Sequence, residues 1–142
     1  MEKTLVMIKP DCVERHMSGS VILAIESIGL EISQLQMKQL SRKEACSLYA
    51  EHKGKWHFER NINHVTSGPV ILIEVEGPNA VPRCREIVET YRRSHKDLIE
   101  LPRNLVHATT EATKADEELL AVGLDNHVAT VYSAHHEDAF PI

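Results

Sequence analysis

Three kinds of residue in this chain could do chemistry on phosphate. His107 lies inside a short apolar run from Leu105 to Thr109, three residues after Asn104. A neutral imidazole is a competent nucleophile near pH 7, because its unperturbed pKa is about 6.5. It can attack phosphorus without help from a general base. Lys9 closes the run Leu5-Val6-Met7-Ile8 just before Pro10, so a cation is expected at the end of a strand, where a ligand can reach it. Arg85 stands with Arg83, Arg92 and Arg93 nearby, and a guanidinium donates bidentate bonds that match phosphate. Taken singly, each has a plain structural reading: a core histidine, a solvated lysine, a solvated helix face. The chain has no GxxxxGKS/T loop, no GxGxxG, no HExxH and no GxSxG. Side chains, rather than a glycine cradle, must therefore hold any phosphate.

These residues need elements to position them. Leu5 to Ile8 reads as a buried strand stopped by Pro10. Gly19 to Ile28 carries Val21, Ile22, Ile25 and Ile28 at helical spacing, with Gly29 as its stop. Leu30 to Leu40 is a strand with imperfect alternation. Ser41-Arg42-Lys43-Glu44 is a capping box that opens a helix through Tyr49 and His52. Lys55 to His64 reads as a short helix or helical turn. Val70 to Val75 is the strongest strand signal. Pro78 and Pro82 bracket the first turn of a helix that sends Val81, Cys84, Ile87 and Val88 toward a core. Leu105 to Thr109 is a short fourth strand, Ala115 to Val122 a helix, and Val128 to Tyr132 a possible further strand. This order predicts an α+β sandwich in which helices cover one face of a four-stranded antiparallel sheet.

Composition sets the outer limits. The 142 residues fit one domain with a real core. Apolar residues make up 42% and charged residues 26%, with a net charge of −5 and no long basic run, which argues against nucleic acid as the main partner. Cys12, Cys46 and Cys84 are odd in number and form no CxxC pair. That argues against a disulfide framework or zinc ribbon and points to a reducing cytoplasm. No signal-peptide pattern and no membrane-length apolar run is present.

Five segments, taken in order, resemble the nucleoside diphosphate kinase family over roughly residues 2 to 122. They are Thr4 to Asp11 (TLVMIKPD), Tyr49 to Lys55 (YAEHKGK), Thr66 to Pro69 (TSGP), Gly77 to Val81 (GPNAV) followed by Arg85, and Arg103 to Ala108 (RNLVHA). The last is similar to that family's N-x-x-H-G active-site segment. The resemblance implies a ferredoxin-like α/β fold. It also implies transfer of the γ-phosphate of a nucleoside triphosphate to a nucleoside diphosphate, by a ping-pong route through phosphohistidine. By the same resemblance, His107 matches the phosphorylated histidine, Lys9 and Arg85 the phosphate-binding cations, and Tyr49 a tyrosine beside them. Asn104 matches the asparagine that holds the sugar hydroxyl, and Glu118 the glutamate that orients the histidine. Thr109 stands where the family usually has serine. ATP and other nucleotides are the implied partners, with Mg²⁺ carried in by the nucleotide and no protein metal site.

The sequence also departs from the family. The stretch from Glu86 to Arg103 is shorter than the corresponding loop, which supplies a threonine and an arginine to the phosphates and helps pack subunits. Thr90 is taken for the threonine, although strict spacing points to Tyr91. Arg93 is taken for the arginine, with Arg92 as the other candidate. The alternative is that these contacts are gone, and one lost charge-assisted contact costs about 2–3 kcal/mol. The loss of loop packing favours a homodimer over larger assemblies. At the base clamp, His57 stands in place of the usual phenylalanine and Asn61 in place of a leucine, which could shift nucleobase preference. The other possibility is that Trp56 or Phe58 does the stacking. The family's glycine after the histidine is Ala108. The tail, residues 123–142, carries His127, His135, His136, Glu137 and Asp138, scattered in a way that reads as a solvated or subunit-packing tail rather than a metal site. A non-catalytic nucleotide- or protein-binding relative on the same fold is the competing reading.

Overall fold

The computed structural model describes residues 2–124. Strand β1 (Glu2–Ile8) leads through Lys9 into a short helix α1 (Pro10–Glu14), followed by α2 (Ser18–Ser27) and strand β2 (Glu31–Lys38). Helix α3 (Arg42–Leu48), a 3₁₀ turn (Ala50–His52) and α4 (Phe58–Val65) come next, and then β3 (Val70–Gly77) and the long α5 (Ala80–Ser94). A 3₁₀ turn (Lys96–Leu98) leads to the three-residue β4 (Val106–Ala108), and a last 3₁₀ turn (Ala112–Lys114) precedes α6 (Ala115–Ala121). The strands are antiparallel in the order β2-β3-β1-β4, which is the ferredoxin-like arrangement expected. The residues of the proposed tail strand and the tail histidines, His127, His135 and His136, lie outside the described residues, as do Glu137 and Asp138.

Helices cover both faces of the sheet, not one. Val6 and Ile8 of β1 pack with Ile71, Ile73 and Val75 of β3 against Cys12, Val21, Ile25, Cys84 and Val88. Leu5 and Met7 pack on the opposite face with Val70 and Leu72, against Ala45, Leu48, Ile62 and Leu119. The physical reason is visible in the strands themselves. A strand wet on one face alternates apolar and polar residues, whereas β1 and β3 are nearly continuous apolar runs, so both of their faces must be buried. The one expected helix between Ser41 and His52 is split, since α3 ends at Leu48 and a separate 3₁₀ turn follows. Ser41 and Glu44 make the reciprocal capping box that their spacing predicts.

The connection from Ser94 to Val106 is held by Asp11. One oxygen of this buried carboxylate accepts from the backbone N–H of Leu105 at 3.0 Å, and the other contacts Nε2 of the buried His64 at 3.1 Å. Leu105 needs that anchor, because it is a fully buried non-glycine residue at φ 73°, a conformation that persists only where its surroundings impose it. Burial alone would raise the Asp11 pKa. The hydrogen bond and charge of His64, the Leu105 N–H and the charge of Lys9 outweigh it and hold the value below 3.8. A carboxyl whose pKa is lowered by folding stabilises the fold above its ordinary range, and that contribution is lost as pH falls through the lowered value. Asp11→Ala strands two buried polar groups, so a loss of about 3 kcal/mol is expected in denaturant unfolding at pH 7. The difference from wild type should shrink on acidification below pH 3.8. A variant as stable as wild type would contradict this anchoring.

Candidate active site

The sheet register sets the side on which His107 acts. His107 pairs with Met7 across β1 and β4, so both side chains project to the face that carries α3, α4 and α6. Lys9, two residues beyond Met7, continues on that face, and Tyr49 arrives from the end of α3. Glu118 comes from α6, which packs against β1.

Around His107 the contacts are direct. Its Nε2 lies 2.9 Å from Glu118 Oε1. That same oxygen accepts from the Thr109 hydroxyl at 3.0 Å, and the Thr109 oxygen in turn accepts from the backbone N–H of Leu5 at 3.3 Å. A carboxylate only accepts, so Nε2 is the protonated nitrogen and the lone pair is left on Nδ1. The Tyr49 ring meets the imidazole edge-on, with centroids 5.8 Å apart. Burial first, and then the charge of Glu118, raise the Tyr49 pKa, so its hydroxyl stays protonated at neutral pH. The His107 side chain is 19% exposed, which is enough to be reached.

The cation Lys9 is 4% exposed. Its Nζ donates to Asn104 Oδ1 at 2.6 Å and to the carbonyl of Pro102 at 2.7 Å. Burial lowers its pKa to about 8; the nearby Asp11 opposes the shift and the Arg92 charge adds to it. Lys9 and Asn104, 95 residues apart, are thus one unit at the end of β1.

Four of the expected site residues form two adjacent pairs, His107 with Glu118 and Lys9 with Asn104, and Tyr49 lies against the first. Arg85 is more peripheral. It pairs with Glu89 at 3.2 Å and lines a surface groove of about 470 Å³ with Val81, Thr110 and Ala112, beside the segment that follows β4. His57 belongs to a row of rings that starts at His107: His107 to Tyr49, Tyr49 to His52 at 6.4 Å, His52 to His57 at 5.6 Å, and His57 to Trp56 at 5.4 Å. One helical turn on, Asn61 Nδ2 reaches His57 Nδ1 at 3.4 Å. Phe58 is buried in the core and is not free to stack on a ligand, whereas Trp56 is 81% exposed with Arg60 over its ring.

Thr90 and Arg93 are not brought to His107. Arg93 Nη2 donates to Thr90 Oγ1 at 3.2 Å on the exposed side of α5, and Thr90 lines a groove between α2 and α5 on the other face of the sheet. Helix α5 runs on through Ser94, so its 3.6-residue period, rather than loop alignment, decides where these side chains point. The residue that turns toward the site is Arg92. Its Nε donates to the Asn104 carbonyl at 3.2 Å and its Nη2 to the carbonyl of Val106. Sequence reasoning also passed over Asp11 and His64. The signal for Asp11 was an acid two residues after Lys9; for His64 there was none beyond its place in α4.

Comparison with known proteins agrees with this geometry. The family model for nucleoside diphosphate kinase matches residues 2–122. A nucleoside diphosphate kinase of Ignicoccus hospitalis is 39% identical over 146 residues, covering 96% of this chain and 98% of the relative. A halophilic nucleoside diphosphate kinase from Halobacterium salinarum, solved in complex with CDP, superposes with a TM-score of 0.79 at 28% identity, over 88% of this chain and 89% of that one. The enzyme of Encephalitozoon cuniculi reaches a TM-score of 0.81 over 89% of this chain and 91% of its own, and at 22% identity this likeness speaks for the fold alone. This chain belongs to the nucleoside diphosphate kinase family.

Proposed function

We propose that this protein transfers the γ-phosphate of a nucleoside triphosphate to a nucleoside diphosphate, with Nδ1 of His107 as the nucleophile. The observation that carries the assignment is the 2.9 Å contact of Nε2 with Glu118, which leaves the Nδ1 lone pair for attack. In the first half-reaction Nδ1 attacks the γ-phosphorus, the bond to the β–γ bridging oxygen breaks, and the nucleoside diphosphate leaves with the electron pair. The ring gains positive charge as the N–P bond forms, and Glu118 stabilises it through Nε2–H. In the second half-reaction a terminal phosphate oxygen of the acceptor attacks the same phosphorus and returns the imidazole. The acceptor oxygen is already anionic, so no general base is required.

Lys9 and Arg85 are the proposed phosphate ligands, Asn104 the sugar ligand, and Tyr49 the wall beside the nucleophile. The groups facing the phosphates are cations, which repel a metal ion. Mg²⁺ therefore fits as part of the nucleotide substrate, bound to its phosphate oxygens. His57, with Asn61 against it, is the proposed base wall. The exposed apolar side chains of Leu23 on α2 and Ile28 just after it, and of Leu35 and Met37 on the outermost described strand β2, support a homodimer. Among the described residues no helix is long and apolar enough to cross a membrane. Free nucleotides as substrates fit a cytoplasmic location.

Incubation with γ-labelled ATP and Mg²⁺ is expected to give an acid-labile, base-stable phosphoenzyme in wild type and none in His107→Ala. An unlabelled wild type at high enzyme concentration would favour a non-catalytic binding protein instead. Because Lys9 must be charged to hold phosphate, kcat/KM should fall as pH rises through about 8. Arginine keeps its charge there, so Lys9→Arg should move that alkaline limb upward; an unmoved limb would remove Lys9 from the phosphate site. Turnover ratios across the nucleoside diphosphates should change in Asn61→Leu, and identical ratios would count against a polar base wall.

A further inference from the structure

Helix α4 carries a polar stripe. His57, Asn61 and His64 recur at i, i+4 and i+7, within about 60° of one another around the helix. They stand beside the apolar stripe of Phe58, Ile62 and Val65 that enters the core. At its outer end the stripe is half-buried, and Asn61 Nδ2 meets His57 Nδ1 at 3.4 Å. At its inner end His64 is 8% exposed. A buried imidazole is costly unless its N–H is bonded, and an apolar side chain would fill that space without the penalty. What compensates His64 is Asp11.

An ionised carboxylate only accepts, so His64 donates its Nε2–H to Asp11 Oδ1 at 3.1 Å. The Ser67 hydroxyl donates to the His64 carbonyl at 2.6 Å and fixes the helix end from which this side chain reaches. With one oxygen of Asp11 tied to α4, the other takes the Leu105 N–H at 3.0 Å. The Leu105 carbonyl in turn accepts from the Lys9 N–H at 2.9 Å. Residues 9 and 11 thus grip both backbone groups of Leu105, two residues ahead of His107. The charges of Asp11 and Lys9 act on each other. Even so, Lys9 Nζ donates to Asn104 Oδ1 and the Pro102 carbonyl instead of to Asp11.

We propose that His64 is a positioning residue of the phosphotransfer site. It holds the Asp11 carboxylate on Leu105 and off Lys9, which leaves the ammonium for phosphate and keeps β4 in register for His107. The proposal rests on reading the His107 site as a phosphotransfer centre; His64 itself touches no substrate. Without the His64 N–H, Asp11 turns toward the Lys9 charge, pairs with it and draws it from Asn104. The other titratable groups that act on this pair are Arg92 from α5 and the Cys12 thiol on α1. Arg92 is held by the carbonyls of Asn104 and Val106, and Cys12 by the Tyr91 hydroxyl.

The test follows Lys9 ionisation in the intact protein through its side-chain carbon resonances, together with the pH profile of kcat/KM. The variants are His64→Phe, which fills the space without a donor, and His64→Gln, which restores one. A carboxylate paired with an ammonium favours its charged form. Lys9 should therefore titrate at about 8 in wild type and at clearly higher pH in His64→Phe, and the alkaline limb of kcat/KM should move up with it. At pH 7 His64→Phe should lose about tenfold in kcat/KM. His64→Gln should stay within about threefold of wild type, with its Lys9 titration unmoved. An unmoved Lys9 titration in folded His64→Phe overturns the proposal, and so does a His64→Gln that behaves as His64→Phe does. Should His64→Phe fail to fold by circular dichroism, His64→Leu decides by the same readouts; if neither folds, His64 serves stability alone and the proposal is overturned. The Lys9 titration needs no turnover, so an unlabelled wild type would sink the His107 reading while that titration still reports on His64.

Discussion

The site depends on the pairing of a three-residue strand. With His107 opposite Met7, the imidazole projects to the face that carries Tyr49 and Glu118, and Lys9 emerges on the same side. A slip of one residue would turn His107 into the other layer, against α5, and break its bond to Glu118. So short a strand cannot secure its own register. It is fixed at its start by the Asp11 carboxylate on the Leu105 N–H, along its outer edge by Arg92, and just past its end by Thr109, which bonds both Leu5 and Glu118. The strain at Leu105 is one local cost of this arrangement.

Electrostatics follow from that geometry. Lys9 is buried and Arg92 half-buried, and both have pKa values lowered by burial. Asp11 offsets part of the charge on both. Burial makes both charges costly to hold, and an anionic ligand beside them would offset that cost. Such preorganised charge is what phosphoryl transfer needs, since the reaction asks for positioning and charge stabilisation rather than for further covalent chemistry by the protein.

Much of this was legible in the chain. The continuous apolar runs of β1 and β3, the Ser41–Glu44 capping box and the apolar setting of His107 each carry a physical signal. The Asn104-to-His107 and His107-to-Glu118 spacings acquired meaning from the family resemblance. The covering of both sheet faces was also written in β1 and β3, where apolar residues do not alternate with polar ones. What could not be read were contacts between distant segments that lack a pattern, such as His64 with Asp11. Thr90 and Arg93 lie away from His107 for a different reason. Their assignment carried loop spacing into a stretch that is helix, where a single residue step turns a side chain by about 100°. The same helical period turns Arg92 toward the carbonyls of Asn104 and Val106.

The central claim is that Glu118 occupies Nε2 of His107 and so leaves Nδ1 to carry the phosphoryl group. Nuclear magnetic resonance of the phosphoenzyme, trapped at alkaline pH and resolving the two phosphohistidine isomers by phosphorus and nitrogen coupling, tests it most directly. Phosphorus on Nδ1 of His107 is the expected result. Phosphorus on Nε2, or on any other residue, would contradict it.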